Sequence, residues 1–162
     1  MDLTIAARDV LVGIQLRRPD VRSLLVSAVG CRGAQTVAAA VAEATRAIGR
    51  SVHHVHVEGA DAQPKIETDV DDLRLNTFES FADVSLVHSE IARMTAGAFL
   101  VASTSDFLRV HESRVLAANV DGVILLAREN VTRAADLRAA DRQLLEVGAT
   151  LLGSVYLERD LD

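Results

Sequence analysis

Ser23-Leu-Leu-Val-Ser-Ala-Val-Gly-Cys-Arg-Gly33 is followed by the Ala-rich run Ala34-Gln-Thr-Val-Ala-Ala-Ala-Val-Ala-Glu-Ala-Thr-Arg-Ala-Ile48. An apolar stretch, a glycine-bearing turn and a helix pattern in succession give the order of a phosphate-binding loop, in which backbone N–H groups at a helix N-terminus face an anion. The lysine that such a loop places after its last glycine is missing. Ala34 stands there, followed by Gln35 and Thr36. Gly30, Arg32, Gly33, Gln35 and Thr36 are the candidate binding residues of this degenerate loop.

The rest of the chain alternates in the same way. Residues 4–16 read as a helix from the three- to four-residue steps of Ile5, Val10, Leu11 and Ile14, ended by Arg17-Arg-Pro-Asp20. Val21–Val29 is a strand, continuously apolar from Leu24 and therefore covered on both faces. Gly33–Ile48 is a helix closed by Gly49. Ser51–Val57, with Val interleaved with His53, His54 and His56, is a strand with one less dry face and half-exposed histidines. Glu58–Asp83 is polar and acidic, a loop with room for a short strand or a helical turn.

A helix over Val84–Met94, a strand over Ala96–Ser103, and a helix capped by Asp106 and running to Asn119 come next. Asp121-Gly122 turns the chain into a strand at Val123–Ala127, a helix covers Thr132–Val147, and Thr150–Leu157 is the last strand. Strands alternating with helices require right-handed crossovers and a doubly wound, mainly parallel sheet in a three-layer α/β/α domain. At 162 residues, residues 1–162 make one such domain. With 3% aromatic residues and no Trp, its core is built from Ala, Val, Leu and Ile.

A net charge of −6, with Lys65 the only lysine among 17 basic residues, argues against nucleic-acid binding. The single cysteine, Cys31, excludes a disulfide framework, and no apolar window reaches the roughly 18 residues of a membrane span. These features predict a cytoplasmic protein that meets a membrane only through a partner. His54 and His56 share a strand face, yet no third ligand follows at metal spacing, so no metal is expected. Glu112 reads as a solvated helix carboxylate, Cys31 as an incidental thiol, the acidic loop as solvated, and Tyr156, inside a strand, as a poor phosphoacceptor.

Nearly the entire chain resembles the deviant Walker P-loop ATPases, and among them the cytoplasmic domain of bacterial tyrosine kinases of capsule and exopolysaccharide synthesis. The resemblance rests on Ile5-Ala-Ala-Arg8-Asp-Val-Leu11-Val-Gly-Ile14-Gln15, on Arg18–Ser27, and on Thr36-Val-Ala-Ala-Ala after the loop. Val120-Asp-Gly-Val-Ile-Leu-Leu and Leu144-Leu-Glu-Val-Gly-Ala-Thr-Leu-Leu-Gly-Ser-Val extend it. It implies ATP and Mg²⁺ as ligands, an oligomerisation helix at residues 4–16, and protein partners in polysaccharide assembly.

The departures fall on the chemical positions. The family's loop lysine and following hydroxyl map to Ala34 and Gln35, its second-motif Asp to the region of His56 and Glu58, its Walker B Asp to Ala102, and its adenine-reading Asn to Leu157. Glu112 lies where the family often has Asp, the oligomerisation triplet keeps Arg8 but has Ile5 and Leu11, and the tyrosine-rich tail is missing. One charge-assisted hydrogen bond is worth about 1.5–3 kcal/mol, so loss of the lysine costs roughly one to two decades in phosphate affinity. Loss of the metal residues removes most of what stabilises phosphoryl transfer.

The expectation is therefore a catalytically inactive pseudo-kinase with no catalytic residues and no cofactor. Its partner would be a membrane polysaccharide co-polymerase or a kinase paralogue, with homo-oligomerisation through residues 4–16, where Ile5 and Leu11 replace charge. Two alternatives stand beside it: an ATPase or kinase that binds nucleotide weakly through a rebuilt site, and a degenerate MinD- or ParA-like cell-organisation protein.

Overall fold

A computed structural model of the chain describes residues 3–58, 65–68, 84–159 and 161. The helices are α1 (Leu3–Arg17), α2 (Ala34–Ala47), α3 (Val84–Thr95), α4 (Glu112–Asn119) and α5 (Ala134–Glu146). The strands are β1 (Ser23–Ala28), β2 (Val52–Val57), β3 (Lys65–Thr68), β4 (Phe99–Thr104), β5 (Gly122–Arg128) and β6 (Leu151–Leu157). They form one sheet of order β3-β2-β4-β1-β5-β6. All pairings are parallel except β2 with β3. The doubly wound, mainly parallel sheet expected from the alternation is present.

Two apolar layers cover the sheet. Leu24, Val26, Val52, Phe99, Val101, Ile124 and Leu126 face α1 and α2, where Leu11, Ala38 and Val41 meet them. Leu25, Val55, Leu100, Ala102, Val123 and Leu125 face α3, α4 and α5, where Ile91, Leu116 and Leu144 close the other side. Side chains alternate across each strand, so a continuous Leu/Val/Ala run supplies both layers at once. At the edge of β1 the Asp121 carboxylate accepts the N–H groups of Arg22 at 2.7 Å and Ser23 at 3.1 Å, and Ser23 Oγ accepts the N–H of Asp121 at 2.8 Å. The Asp-Gly turn thereby ties the starts of β1 and β5 together.

Three local expectations change. No helix runs from Asp106: residues 107–111 form turns and α4 begins at Glu112. Asp106 Oδ1 instead accepts the N–H of Leu108 at 3.0 Å, a turn that competes with helix propagation. In β2 no face is less dry, since His53, His54 and His56 are 4%, 4% and 5% exposed. The added strand β3 lies outside β2 and makes it an interior strand. In α1, Leu11 is 1% exposed and packs into the core against α2, so it is not free for a contact between molecules. Among the described side chains of α1, the exposed large apolar ones are Val12 and Leu16. Ile5's side chain and the acidic stretch beyond Glu58, apart from the β3 backbone, lie outside the described residues.

Candidate functional site

β1 delivers the chain to residues 29–33 at the C-terminal edge of the sheet, next to the end of β4, and α2 leads away from it. This is where open α/β sheets bind ligands. The loop is pinned from both flanks. The Gly30 N–H is donated to Asp106 Oδ2 at 3.2 Å, and Val29's carbonyl accepts from Thr132 Oγ1 at 2.7 Å. Gly30 and Gly33 both take positive φ, 64° and 118°, a region in which L side chains are strained. Cys31 directs its thiol at the Leu126 carbonyl, 3.5 Å away, rather than standing open beside Arg32.

The five candidate loop residues share one cleft, except Gly30. Arg32, Gly33, Gln35 and Thr36 line a space of about 340 Å³ together with Ala34, His56, Glu58, Ser105 and Leu161. Gly30 is held at its Asp106 contact instead. Arg32 and Gln35 are exposed, whereas Ala34 is 2% exposed and part of the core. Apolar side chains stand against the last glycine: a Cβ at Gly33 would lie 3.1 Å from Leu161 Cβ and 3.5 Å from Leu157 Cδ1.

His56 and Glu58, the residues that the sequence resemblance set against a second motif, form a pair in the cleft's lining. His56 Nε2 lies 3.5 Å from Glu58 Oε1, and its Nδ1 meets Ser103 Oγ at 2.8 Å. Both ring nitrogens are thus engaged. Among the described residues no group of three or more His, Cys, Asp or Glu side chains converges as a metal site.

Ala102 does not stand at the loop. It is buried on the α3–α5 side of β4, two positions before the strand ends at Thr104, so residues 104–106 present the polar groups there. Thr104 Oγ1 meets Ser27 Oγ at 2.7 Å and accepts from Ser113 Oγ at 2.8 Å, a buried hydroxyl chain linking β1, β4 and α4. Sequence reading missed this chain and the Asp106–Gly30 bond. A Ser or Thr at the end of each of two strands was the available signal. Glu112, expected to be solvated, is 6% exposed, and its Oε2 is buried with no hydrogen-bond partner among the described residues. Tyr156 lies in a strand as expected, and the residue is 65% exposed.

The sheet order, the glycine loop between β1 and α2, and the polar edge beside it define a P-loop-type α/β fold. Solved bacterial tyrosine kinase domains share that fold. The kinase domain of VpsO superposes with a TM-score of 0.68 over 98% of this chain and 96% of that one, at 19% identity. The kinase domain of the Escherichia coli tyrosine kinase ETK gives 0.70 over 98% and 78%, at 12% identity. The BceF tyrosine kinase domain gives 0.67 over 94% and 76%, also at 12%. No family model and no curated protein matches the chain. Among the described residues no helix is long and apolar enough to cross a membrane.

Proposed function

We propose that the domain is a catalytically silent relative of the bacterial tyrosine kinases, acting as a protein-interaction or regulatory partner in polysaccharide assembly or export. The observation that carries this reading is the apolar filling around the loop's last glycine. Ala34 is buried where a lysine would neutralise phosphate charge, and Leu157 and Leu161 pack on Gly33. Phosphoryl transfer depends almost entirely on positioned cations and metal, which apolar side chains do not supply. Partner choice follows from the family resemblance: a membrane co-polymerase that regulates chain length, or an active kinase paralogue, met on the cytoplasmic side.

A weaker nucleotide-binding reading draws on the exposed Arg32, Gln35 and the 340 Å³ cleft beside them. Thermal unfolding with millimolar ATP and Mg²⁺ separates the two. A ligand at about 100 times its dissociation constant adds roughly 2.7 kcal/mol of stability, so even modest binding raises the melting temperature. The silent reading expects no shift. A shift corresponding to binding tighter than about 100 µM overturns it.

A further inference from the structure

The two edge strands of the sheet differ in kind. β3 has four residues and carries Lys65 and Glu67, whereas β6 has seven, Leu151-Leu-Gly-Ser-Val-Tyr-Leu157, with no charge and no proline. An edge strand presents unpaired N–H and C=O groups, which proteins ordinarily guard by shortness, charge or proline. β3 has two of these devices and β6 has none. Among the described residues β6 pairs with β5 alone, and Leu151 and Tyr156 are 37% and 65% exposed. Beside this edge, Val10, Ile14, Leu152 and Val155 line a groove of about 420 Å³ between α1 and β6.

The direction of the free groups follows from the pairing. The Leu157 carbonyl accepts the N–H of Glu129 at 3.1 Å, so Leu157 turns its backbone toward β5. The register runs unbroken from Gly153 to Leu157, opposite Ile124 to Arg128. Backbone groups alternate sides along a strand, so Gly153, Val155 and Leu157 face β5 while Ser154 and Tyr156 turn their N–H and C=O outward. Two outward residues spaced in this way complement themselves. With two copies antiparallel about a two-fold axis at Val155, Ser154 of each stands opposite Tyr156 of the other, and each such pair exchanges two hydrogen bonds.

A second copy satisfies both open edges at once, in a closed contact of the same patch on each side. Seven residues make an edge about 23 Å long. Three layers of about 10 Å each then give a face of roughly 700 Å² per copy, close to the 800 Å² or so of a standard interface. We propose that the chain forms a two-fold dimer by antiparallel pairing of β6 with β6 of a second copy, joining the two sheets into one. The surface is distinct from the outer side of α1, and the pairing holds whether or not the loop binds nucleotide.

Sedimentation of the full chain, from about 1 to 300 µM, reads the pairing as mass. The mass should rise from 17.4 kDa toward twice that value. S154P removes an outward N–H that β5 does not use, at an edge position where proline is tolerated. It should stay monomeric at every concentration and still unfold cooperatively. If S154P fails to fold, Y156K carries the test, because a lysine guards the edge and should weaken dimerisation by about tenfold or more. The register has its own readout. The two Val155 Cα atoms would lie about 4.5 Å apart as a non-hydrogen-bonded pair, within disulfide reach. V155C in a C31S background should therefore link two copies on oxidation with copper phenanthroline. A mass that stays at 17.4 kDa overturns the proposal and leaves the edge to a strand of another protein. A dimer unchanged in both S154P and Y156K, a dimer lost in L16S, or a dimeric V155C sample that does not link would each overturn it as well.

Discussion

Thr104 joins three elements through one hydroxyl. It bonds Ser27 on β1 and Ser113 on α4, and all three residues are buried, so none can turn to water. Replacing Thr104 with the isosteric Val deletes the middle of the chain and leaves two hydroxyls short of a partner. T104V should lower the unfolding free energy by about 1–3 kcal/mol, seen as a lower urea midpoint at unchanged slope. An unchanged midpoint would mean that the chain is incidental. Little of this was legible in the sequence. Ser27 and Thr104 read as ordinary strand residues because hydroxyl pairing depends on the parallel register, which sets Ser27 opposite Thr104. The histidines mislead for a related reason. Their alternation with Val suggests a wet face, but β3 and the flanking layers enclose β2 on every side.

At the scale of elements, periodicity identified the core of every described helix and strand except β3, which lies in the stretch read as a loop, and the misjudged boundaries have local causes. Helix α4 starts six residues after Asp106 because that carboxylate is occupied by backbone N–H groups of the loop and the following turn. The site it helps to build was illegible for the same reason, since a contact from residue 106 to residue 30 leaves no periodic trace. Helix α1 shows how far an apolar pattern goes. Leu11, one of the positions that marked the helix, is 1% exposed, whereas Leu16 of the same helix is 80% exposed. Leu11→Ala should cost about 2–5 kcal/mol of stability by opening a cavity against α2. Leu16→Ser should change stability by less than about 0.5 kcal/mol. Urea unfolding of the two variants measures this contrast. Equal effects would contradict the inward packing of Leu11, whereas the expected pattern leaves Val12 and Leu16 as the outward apolar face of α1.

For the molecule as a whole, a shared architecture has to be separated from shared chemistry. The sheet order and the loop between β1 and α2 are properties of the backbone, held by a buried core mostly of Ala, Val and Leu with Phe99, Phe107, Ile91, Ile124 and Met94. Phosphoryl transfer instead needs a cation, a metal shell and an open mouth acting together. On the silent reading proposed above, the buried Ala34 and the Leu157 and Leu161 side chains beside Gly33 mean that restoring one group should not restore the reaction. Ala34→Lys tests that statement directly. The new side chain starts from a buried position in the core, and the variant should lose about 1–3 kcal/mol of stability. One added cation should improve ATP affinity by no more than about one to two decades, the worth of a single charge-assisted contact. Phosphate release should stay at the buffer rate, because nothing is added that holds the metal. Turnover above that rate in A34K would show that the remaining residues already form a competent site lacking only the lysine, and the silent reading would then have to be abandoned.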